Sequence, residues 1–560
     1  LAEAETQSPA TLTPSRPQRY ALDQANESLS PPSRQPLREV TGFETAMNKS
    51  PAAQQQAPQK TSTSGIDGNL DRWLRDGAGG ATRCERVIET SISRVYLFRD
   101  RAFKVKKPVD LGFLDFTTPE KRRWATEREL DFNRPTAPDI YRSVHSIESD
   151  GAGGFALDSG GVPLEWALEM RRFDETAVLS EHPSTFGGDF AEATGRMIAR
   201  FHLKARAGAA GGGSAGLLLS VRSNANHLKE LSTSVGAEVV ERLIATTSLA
   251  FDKASVLLDA RASAGFVRCC HGDLHLGNIL VENGAAVLFD CIEFNDSFRE
   301  IDVLYDLAFL LMDLDFRGNR SAANRVVNAW LDESARGMDR SLWDGLAALP
   351  LFQSVRAAVR AHVKGRESDL EAARAYVSTA EDYLRPGKPI LVAVGGMSGS
   401  GKSTFARALA PDLSGPVGAV VLRSDEIRKR QWSRKPTEPL PASAYTMQAN
   451  TDVYAEMLQL ARSCLVAGCS VVADAVFLHP KERSAVEDVA TEAGTPFQGI
   501  WLVAPLDLLK ARLAKRRNDA SDADESVLSL QLASCSDPIG WRRTNSVDLA
   551  AALKSVSELP

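Results

Sequence analysis

The 560-residue sequence has only seven cysteines, an odd number, and none of them forms a C-x2-C pair. That lack argues against a zinc site or a disulfide framework and fits a reducing cytoplasm. Cys269 and Cys270 are adjacent in an apolar run and read as small buried residues. No stretch reaches the roughly 18–20 uninterrupted apolar residues that a membrane span needs. The run around Phe309–Met312 is closed off by Asp306, Asp313 and Asp315. No basic segment followed by an apolar one opens the sequence, so a secretory signal is not expected. The sequence starts at Leu1, with Met47 as an alternative start. Charge of one sign is also missing. The formal net charge of −6 gives no reason to expect nucleic acid or an anionic membrane as the main partner.

What is present divides into parts, because one hydrophobic core does not serve a chain of this length. Residues 1–64 are rich in Pro, Ser, Gln, Thr and Ala without apolar periodicity, and read as a disordered tail. Residues 65–384 read as a first domain. A strand–turn–strand covers Val95–Phe98 and Ala102–Lys106, and a charged helix covers Lys121–Asn133. A strand follows over Trp166–Met170, then helices over Phe190–Ala205 and Asn226–Ala260. Residues 385–389 contain proline and glycine breakers and read as a linker. Residues 390–545 alternate strands and helices, which predicts a parallel sheet covered by helices. Residues 546–560 read as a C-terminal tail.

The most specific signal is the loop Gly396-Met397-Ser398-Gly399-Ser400-Gly401-Lys402-Ser403. It follows an apolar strand, Ile390–Val394, and precedes a helix from Thr404. This is the G-x-x-x-x-G-K-S phosphate loop in its proper context. Its glycines let backbone N–H groups close around phosphates at a helix N-terminus. Lys402 is expected to reach the β- and γ-phosphates, and Ser403 to hold magnesium. Downstream, Asp425 stands near the C-terminal end of a strand, where ligands of open α/β sheets bind. It reads either as the acceptor of a hydroxyl proton, with Arg428 holding a substrate anion, or as an acidic first-turn residue of a helix capped by Ser424. Asp474 ends another strand and is the candidate second magnesium partner. Arg512 and Arg516 are expected on one face of a helix over Leu509–Arg517, closing over ATP.

The first domain carries His271-Gly272-Asp273-Leu274-His275-Leu276-Gly277-Asn278 between apolar strands, with Asp290 at the end of the next strand. The spacing is that of a kinase catalytic loop. It assigns Asp273 as base and Asn278 and Asp290 as magnesium ligands. His271 is expected to be structural. Lys104 and Lys106 share one face of their strand, so either can hold the α- and β-phosphates, with Glu129 as ion-pair partner. Met170, at a strand end, fits a hinge whose backbone binds adenine.

Two resemblances follow from these runs. Residues from about Pro389 to Leu532 resemble the small P-loop kinases, through the Gly395–Thr404 loop, Arg423-Ser424-Asp425, Asp474–Phe477 and Asp519–Asp524. Residues from about Leu70 to Leu384 resemble the bacterial aminoglycoside phosphotransferase-like branch of the protein-kinase fold. That likeness rests on Phe103–Val109, Gly112–Phe116, the HGDLHLGN run and Phe289–Phe294. It favours Lys104 over Lys106 and places Glu129 as its partner. Two departures stand out: no G-x-G-x-x-G precedes the lysine strand, and Asp290 is followed by Cys291-Ile292-Glu293. Glu293, Asp302 and Asp306 are expected to support the loop or magnesium.

The expected fold is an α+β bilobal protein-kinase-like domain followed by an α/β P-loop NTPase domain with a parallel sheet. The expected function is ATP- and magnesium-dependent phosphotransfer by tandem kinase-like domains to hydroxyl groups of a small molecule. The alternatives are a P-loop ATPase or kinase regulated by an inactive kinase-like domain, and a polynucleotide-kinase-like C-terminal domain.

Overall fold

The structure is a computed structural model. It describes residues 66–556 apart from 81, 113, 209–211, 386, 518, 537 and 539. The tail 1–64, with Met47, lies outside these residues, as do Phe113 of the Gly112–Phe116 run and Pro386 of the linker.

The first sheet is six-stranded and antiparallel, in the order β1-β2-β3-β6-β4-β5. Its strands are β1 (Arg86–Glu89), β2 (Ser93–Leu97), β3 (Arg101–Lys106), β4 (Tyr141–Ser149), β5 (Phe155–Leu157) and β6 (Pro163–Arg171). Strand alternation explains β3: Phe103 and Val105 join a buried cluster with Tyr96, Phe98, Ile147 and Ala167, which leaves Lys104 and Lys106 to the other face. Against that face lies the helix Pro119–Asn133, entered through a Thr118 cap and Pro119 at its first turn. This helix has no apolar stripe. Its buried residues include Arg122, Thr126, Glu129 and Asn133, spaced to share one side. It is buried through its polar side because each of these groups finds a partner. Arg122 binds Glu165 at 2.8 and 2.9 Å, and Asn133 accepts the Cys291 N–H at 3.0 Å.

The lobe that follows is mainly helical and includes two small antiparallel pairs. β7 (Val267–Cys269) pairs with β10 (Glu300–Asp302), and β8 (Ile279–Glu282) with β9 (Ala285–Leu288). The helix expected over Asn226–Ala260 is broken. It forms Ser214–Glu230, a short turn Ser232–Val235, and Ala237–Ser263. The break falls at Gly236, whose φ of +124° lies outside helical space.

The second sheet is five-stranded, in the order β12-β13-β11-β14-β15, and every neighbouring pair is parallel. Its strands are β11 (Leu391–Gly396), β12 (Val420–Arg423), β13 (Val471–Asp474), β14 (Phe497–Val503) and β15 (Arg542–Asn545). The stretch read as a tail from residue 546 instead carries the helix Leu549–Lys554. Its Ala552, with Val556, is buried against Phe405 and Ala406, so the α/β unit runs on to Val556.

The two regions share a core. The buried cluster of the helical lobe continues into Val417, Val420, Leu422 and Ile427. The helix Arg320–Ser334 covers the exposed edge of β12 with side-chain amides. Asn328 Oδ1 accepts the Val421 N–H at 2.7 Å, and its Nδ2 donates to Ala419 O at 3.2 Å. Asn324 Nδ2 donates to Val417 O and Ala419 O, both at 2.9 Å. An open strand edge is a template for unwanted pairing, and these amides satisfy it. No helix among the described residues is long and apolar enough to cross a membrane.

Two candidate phosphotransfer sites

The first site lies where β3, the helix Pro119–Asn133 and the His271–Asp290 segment meet. Lys104 Nζ stands 2.7 Å from Asp290 Oδ1 and 2.7 Å from Glu129 Oε1. Lys106 Nζ lies 2.8 Å from the other Glu129 oxygen and also pairs with Glu293. One carboxylate therefore bridges both lysines. Exposure separates their roles: Lys106 and Glu129 keep 1% of their side chains accessible, Lys104 13%, and Asp290 45%. Lys104 keeps some access to solvent, and Lys106 is sealed between two carboxylates. The expectation that Lys106 could equally hold phosphates is corrected by this burial. Burial works against charge on Lys104, but Asp290 and Glu129 hold its pKa well above the usual lysine value. Burial pushes Glu129 up, yet Lys104 and Lys106 bring it down to about 2.

Asp273 sits beside Asn278, whose Nδ2 donates to Asp273 Oδ2 at 3.0 Å and to Asp273 O at 2.9 Å. Burial raises the Asp273 carboxyl, but His275, 3.4 Å away, and His271 outweigh it and hold it well below the usual range. His271 is structural as expected: its Nε2 bonds Phe289 O at 2.9 Å, and burial keeps its pKa low. Gly272 has φ +86°, and a Cβ there would meet Phe298 O at 2.8 Å, so only glycine fits. The loop is held from below by Asp306, which accepts the Gly272 N–H at 2.8 Å and the His271 N–H at 3.2 Å. Asp313 accepts the Leu276 N–H at 3.0 Å. Asp302, expected near the loop or magnesium, instead takes both arms of Arg261, at 2.6 and 2.8 Å. Glu293 serves Lys106. Met170 lies inside β6, with Ala102 and Tyr141 as ladder partners and its side chain buried. The strand ends one residue later than expected, at Arg171.

The second site is built on β11, the central strand of the parallel sheet. Gly396, Gly399 and Gly401 have φ of +138°, +83° and +88°. A Cβ on Gly396 or Gly399 would lie 2.6 Å from the carbonyl oxygen of Leu502 or Leu509. The loop turns into the helix Lys402–Leu409, one residue pair earlier than the expected start at Thr404. Lys402 Nζ donates to Gly396 O at 2.9 Å and Met397 O at 3.0 Å, and burial lowers its pKa. Ser398 is clipped by Gln531, which accepts its N–H at 2.8 Å and donates to its Oγ at 3.0 Å. A cleft of about 840 Å³ is lined by Lys402, Ser403, Asp425, Asp474, Arg512 and Arg516 among others. The arginines do not share a helical face, because the helix is Leu506–Lys515 and Arg516 is already extended. Arg512 Nη2 donates to Ser546 O at 2.8 Å, and its Nη1 to Ser400 O at 3.3 Å. The helix bearing Asp425 begins at Ser424, so Ser424 is not its cap, and Arg423 before it makes no side-chain capping bond.

Both sites offer oxygen donors alone for a hard dication: the Asn278 amide oxygen and Asp290 in one, the Ser403 hydroxyl and Asp474 in the other. That donor set suits magnesium.

Residues 169–348 match the phosphotransferase enzyme family model, and residues 391–538 match an AAA domain model. The chain fuses an aminoglycoside phosphotransferase-like domain to a P-loop domain. Among curated proteins, an uncharacterized protein of Mycobacterium tuberculosis (strain ATCC 25618 / H37Rv) is 29% identical over 480 residues. The match covers 83% of this chain and 92% of that one. The adenylyl-sulfate kinase of Myxococcus xanthus is 34% identical over 120 residues, 21% of this chain and 60% of its own. Among solved structures, APH(2'')-IIia with GDP and kanamycin is 13% identical, covering 56% of this chain and 98% of that one, with a TM-score of 0.35. The APS kinase of Mycobacterium tuberculosis with AMPPNP and APS is 21% identical, covering 30% and 96%, with a TM-score of 0.24.

In the P-loop domain the sequence reading named Arg423 within the Arg423-Ser424-Asp425 run but gave it no role of its own. This side chain is buried, and it touches Ser403 Oγ at 3.1 Å, Asp474 at 3.3 Å, Glu426 at 3.0 Å and Asp519 at 3.0 Å. The available signal was an arginine closing an apolar strand, Val420-Val421-Leu422-Arg423, just before Asp425. In the phosphotransferase-like domain it gave Asp313 no role beyond closing an apolar run, although Asp313 lies in a largely apolar helix beside Asp306 and Asp315.

Proposed function

We propose that the protein is an ATP- and magnesium-dependent phosphotransferase whose two domains each move a γ-phosphoryl group to a hydroxyl of a small molecule. The observation that carries this reading is the meeting of Lys104, from β3, with Asp290 at 2.7 Å, next to a loop in which Asn278 bonds Asp273 at 3.0 Å and accepts the Phe289 N–H at 3.1 Å. Asp273 is held ionised beside Asn278, so it orients an incoming hydroxyl and accepts its proton as the new bond forms. Lys104 holds the α- and β-phosphates, while Glu129 keeps that lysine in place. Met170 leads into the hinge, where backbone beyond Arg171 meets the base. In the P-loop domain the backbone from Gly396 to Thr404 cradles the phosphates and Lys402 draws the β- and γ-phosphates inward. Asp425 serves as the base, Arg428 holds an anionic part of the acceptor, and Arg512 and Arg516 offset charge that grows during transfer. Magnesium, held by Asn278 and Asp290 or by Ser403 and Asp474, supplies neutralisation of the phosphate oxygens. The unpaired cysteines favour a reducing compartment such as the cytoplasm.

The test is a phosphoryl-acceptor screen on the full chain, its Asp273→Asn variant and its Lys402→Ala variant. Each substitution is expected to lower a different transfer activity, by about 10²–10⁴-fold for the base and about 10²–10³-fold for the lysine. Loss of no activity with Asp273→Asn rejects the first site. A second reading, in which only the P-loop domain turns over, is favoured by one observation: buried ion pairs run from the phosphotransferase-like domain into the P-loop site.

A further inference from the structure

Those ion pairs converge on Arg423. Its guanidinium is always charged, and a buried charge without partners is costly. Four acceptors surround it. Two of them, Ser403 and Asp474, are the magnesium donors of the proposed P-loop site. The other two, Glu426 and Asp519, are not. A dication held by Ser403 and Asp474 draws those oxygens away from Arg423, which then depends on Glu426 and Asp519 as counter-ions. Burial opposes charge on Arg423, but Glu426, Asp474 and Asp519 keep it firmly cationic.

Glu426 is contested from the other domain. Arg196, on the helix Gly188–Lys204 of the phosphotransferase-like domain, places Nη2 3.5 Å from Glu426 Oε1. Arg196 also reaches Asp332 at 2.5 Å, and Asp332 receives Arg430 at 2.6 Å. Glu426 and Arg430 are one turn apart on the helix Ser424–Gln431, so this helix is clipped twice to the phosphotransferase-like domain. The same helix presents Asp425 and Arg428 to the cleft. Asp332 keeps 4% of its side chain accessible, Arg430 8% and Arg196 16%, so salt screens this seam weakly.

We infer that Glu426 and Arg196 are positioning residues for the P-loop site, acting through Arg423: Glu426 releases Ser403 and Asp474 to magnesium by holding Arg423, and Arg196 of the neighbouring domain opposes it. The inference rests on reading Ser403 and Asp474 as magnesium donors. It assigns the phosphotransferase-like domain a hold on metal-dependent nucleotide binding in its neighbour. The sign is fixed by charge. Removing the carboxylate leaves Arg423 with Asp519 as its remaining counter-ion beside the dication, and removing Arg196 withdraws a positive charge and frees Glu426 for Arg423.

The experiment is calorimetric titration of the full chain with ATP across a series of magnesium concentrations, with the Lys402→Ala chain subtracted to isolate the P-loop site. Glu426→Gln is expected to raise the magnesium concentration for half-maximal binding about five- to tenfold. Arg196→Met is expected to lower it, and Arg196→Lys, which keeps the charge, to restore the parent value. Arg206→Met, which removes an exposed pair with Glu300 at 2.9 Å that shares no partner with Arg196 or Glu426, is expected to leave it unchanged. General damage to the seam would weaken binding in both variants. Shifts of Glu426→Gln and Arg196→Met in the same direction, or no shift in either, overturn the inference. Magnesium-independent binding by the parent chain overturns the reading of Ser403 and Asp474 beneath it.

Discussion

The two candidate sites solve one electrostatic task with opposite materials. The phosphotransferase-like site uses side chains: Asp290, Lys104, Glu129, Lys106 and Glu293 are linked in that order by a chain of ion pairs. The P-loop site is shaped by its backbone: three of its glycines have positive φ, a geometry suited to N–H groups closing around an anion. A site made of side chains from separate elements depends on each partner remaining in place. A site made of backbone depends on the strand and helix that flank it, and here the edge of the sheet that carries it is covered from the other domain.

The most disruptive way to test this contrast is Glu129→Gln. It leaves Lys104 and Lys106 without their shared counter-ion, and a loss of about 3–5 kcal/mol is expected in chemical denaturation of the first domain. The matching Lys106→Met change is expected to cost stability while leaving nucleotide affinity nearly intact, because Lys106 is sealed from solvent. If Lys106→Met abolishes nucleotide binding instead, the division of labour between the lysines is wrong.

A smaller effect is expected on the backbone-built side. Asn328→Leu removes the partner of Val421 N–H and one of the two amide donors to Ala419 O at the edge of the second sheet, which costs about 1–3 kcal/mol. Amide exchange at Val421 should accelerate, while exchange within the His271–Asn278 loop stays unchanged. Protection unchanged at Val421 would mean that the edge does not rely on this helix.

The gentlest test uses pH. All of the eight histidines except His479 belong to the first region. His362 is packed against His227 with ring centroids 4.7 Å apart, and burial, with that neighbour, depresses its pKa to about 3. Above pH 6.5 this histidine is neutral in both folded and unfolded chains and has no effect. As pH falls from 6.5 towards 3, the unfolded chain takes up a proton that the folded chain refuses, and stability falls by about 1.4 kcal/mol per pH unit. His362→Gln should flatten that slope in pH-dependent melting of the first domain. An unchanged slope would assign the acid sensitivity to other groups.

The same contrast explains what could be read from the sequence. The backbone-built site was legible because its geometry is written in eight consecutive residues between a strand and a helix. The parallel sheet followed from alternation. The meeting of Asp273 and Asn278 was legible for the same reason, since they are near neighbours in the sequence. What escaped was pairing across distance. Nothing near Lys106 announces Glu293, and nothing near Arg423 announces that Arg196 bears on its counter-ion. The break at Gly236 and the end of the helix before Arg516 were missed because apolar and basic patterns run through both points without a change of period.

The amides of Asn324 and Asn328 carry a consequence for how the protein is made. The ribosome releases the phosphotransferase-like domain first, and domains generally fold as units in that order. When β12 leaves the exit tunnel, the helix that will seal its edge is already in place nearly a hundred residues upstream. The first domain thus acts as a template on which the second is completed. A gene split at the linker, or one with its halves reversed, would release the P-loop domain with a raw strand edge and commit it to aggregation before it could find its cover.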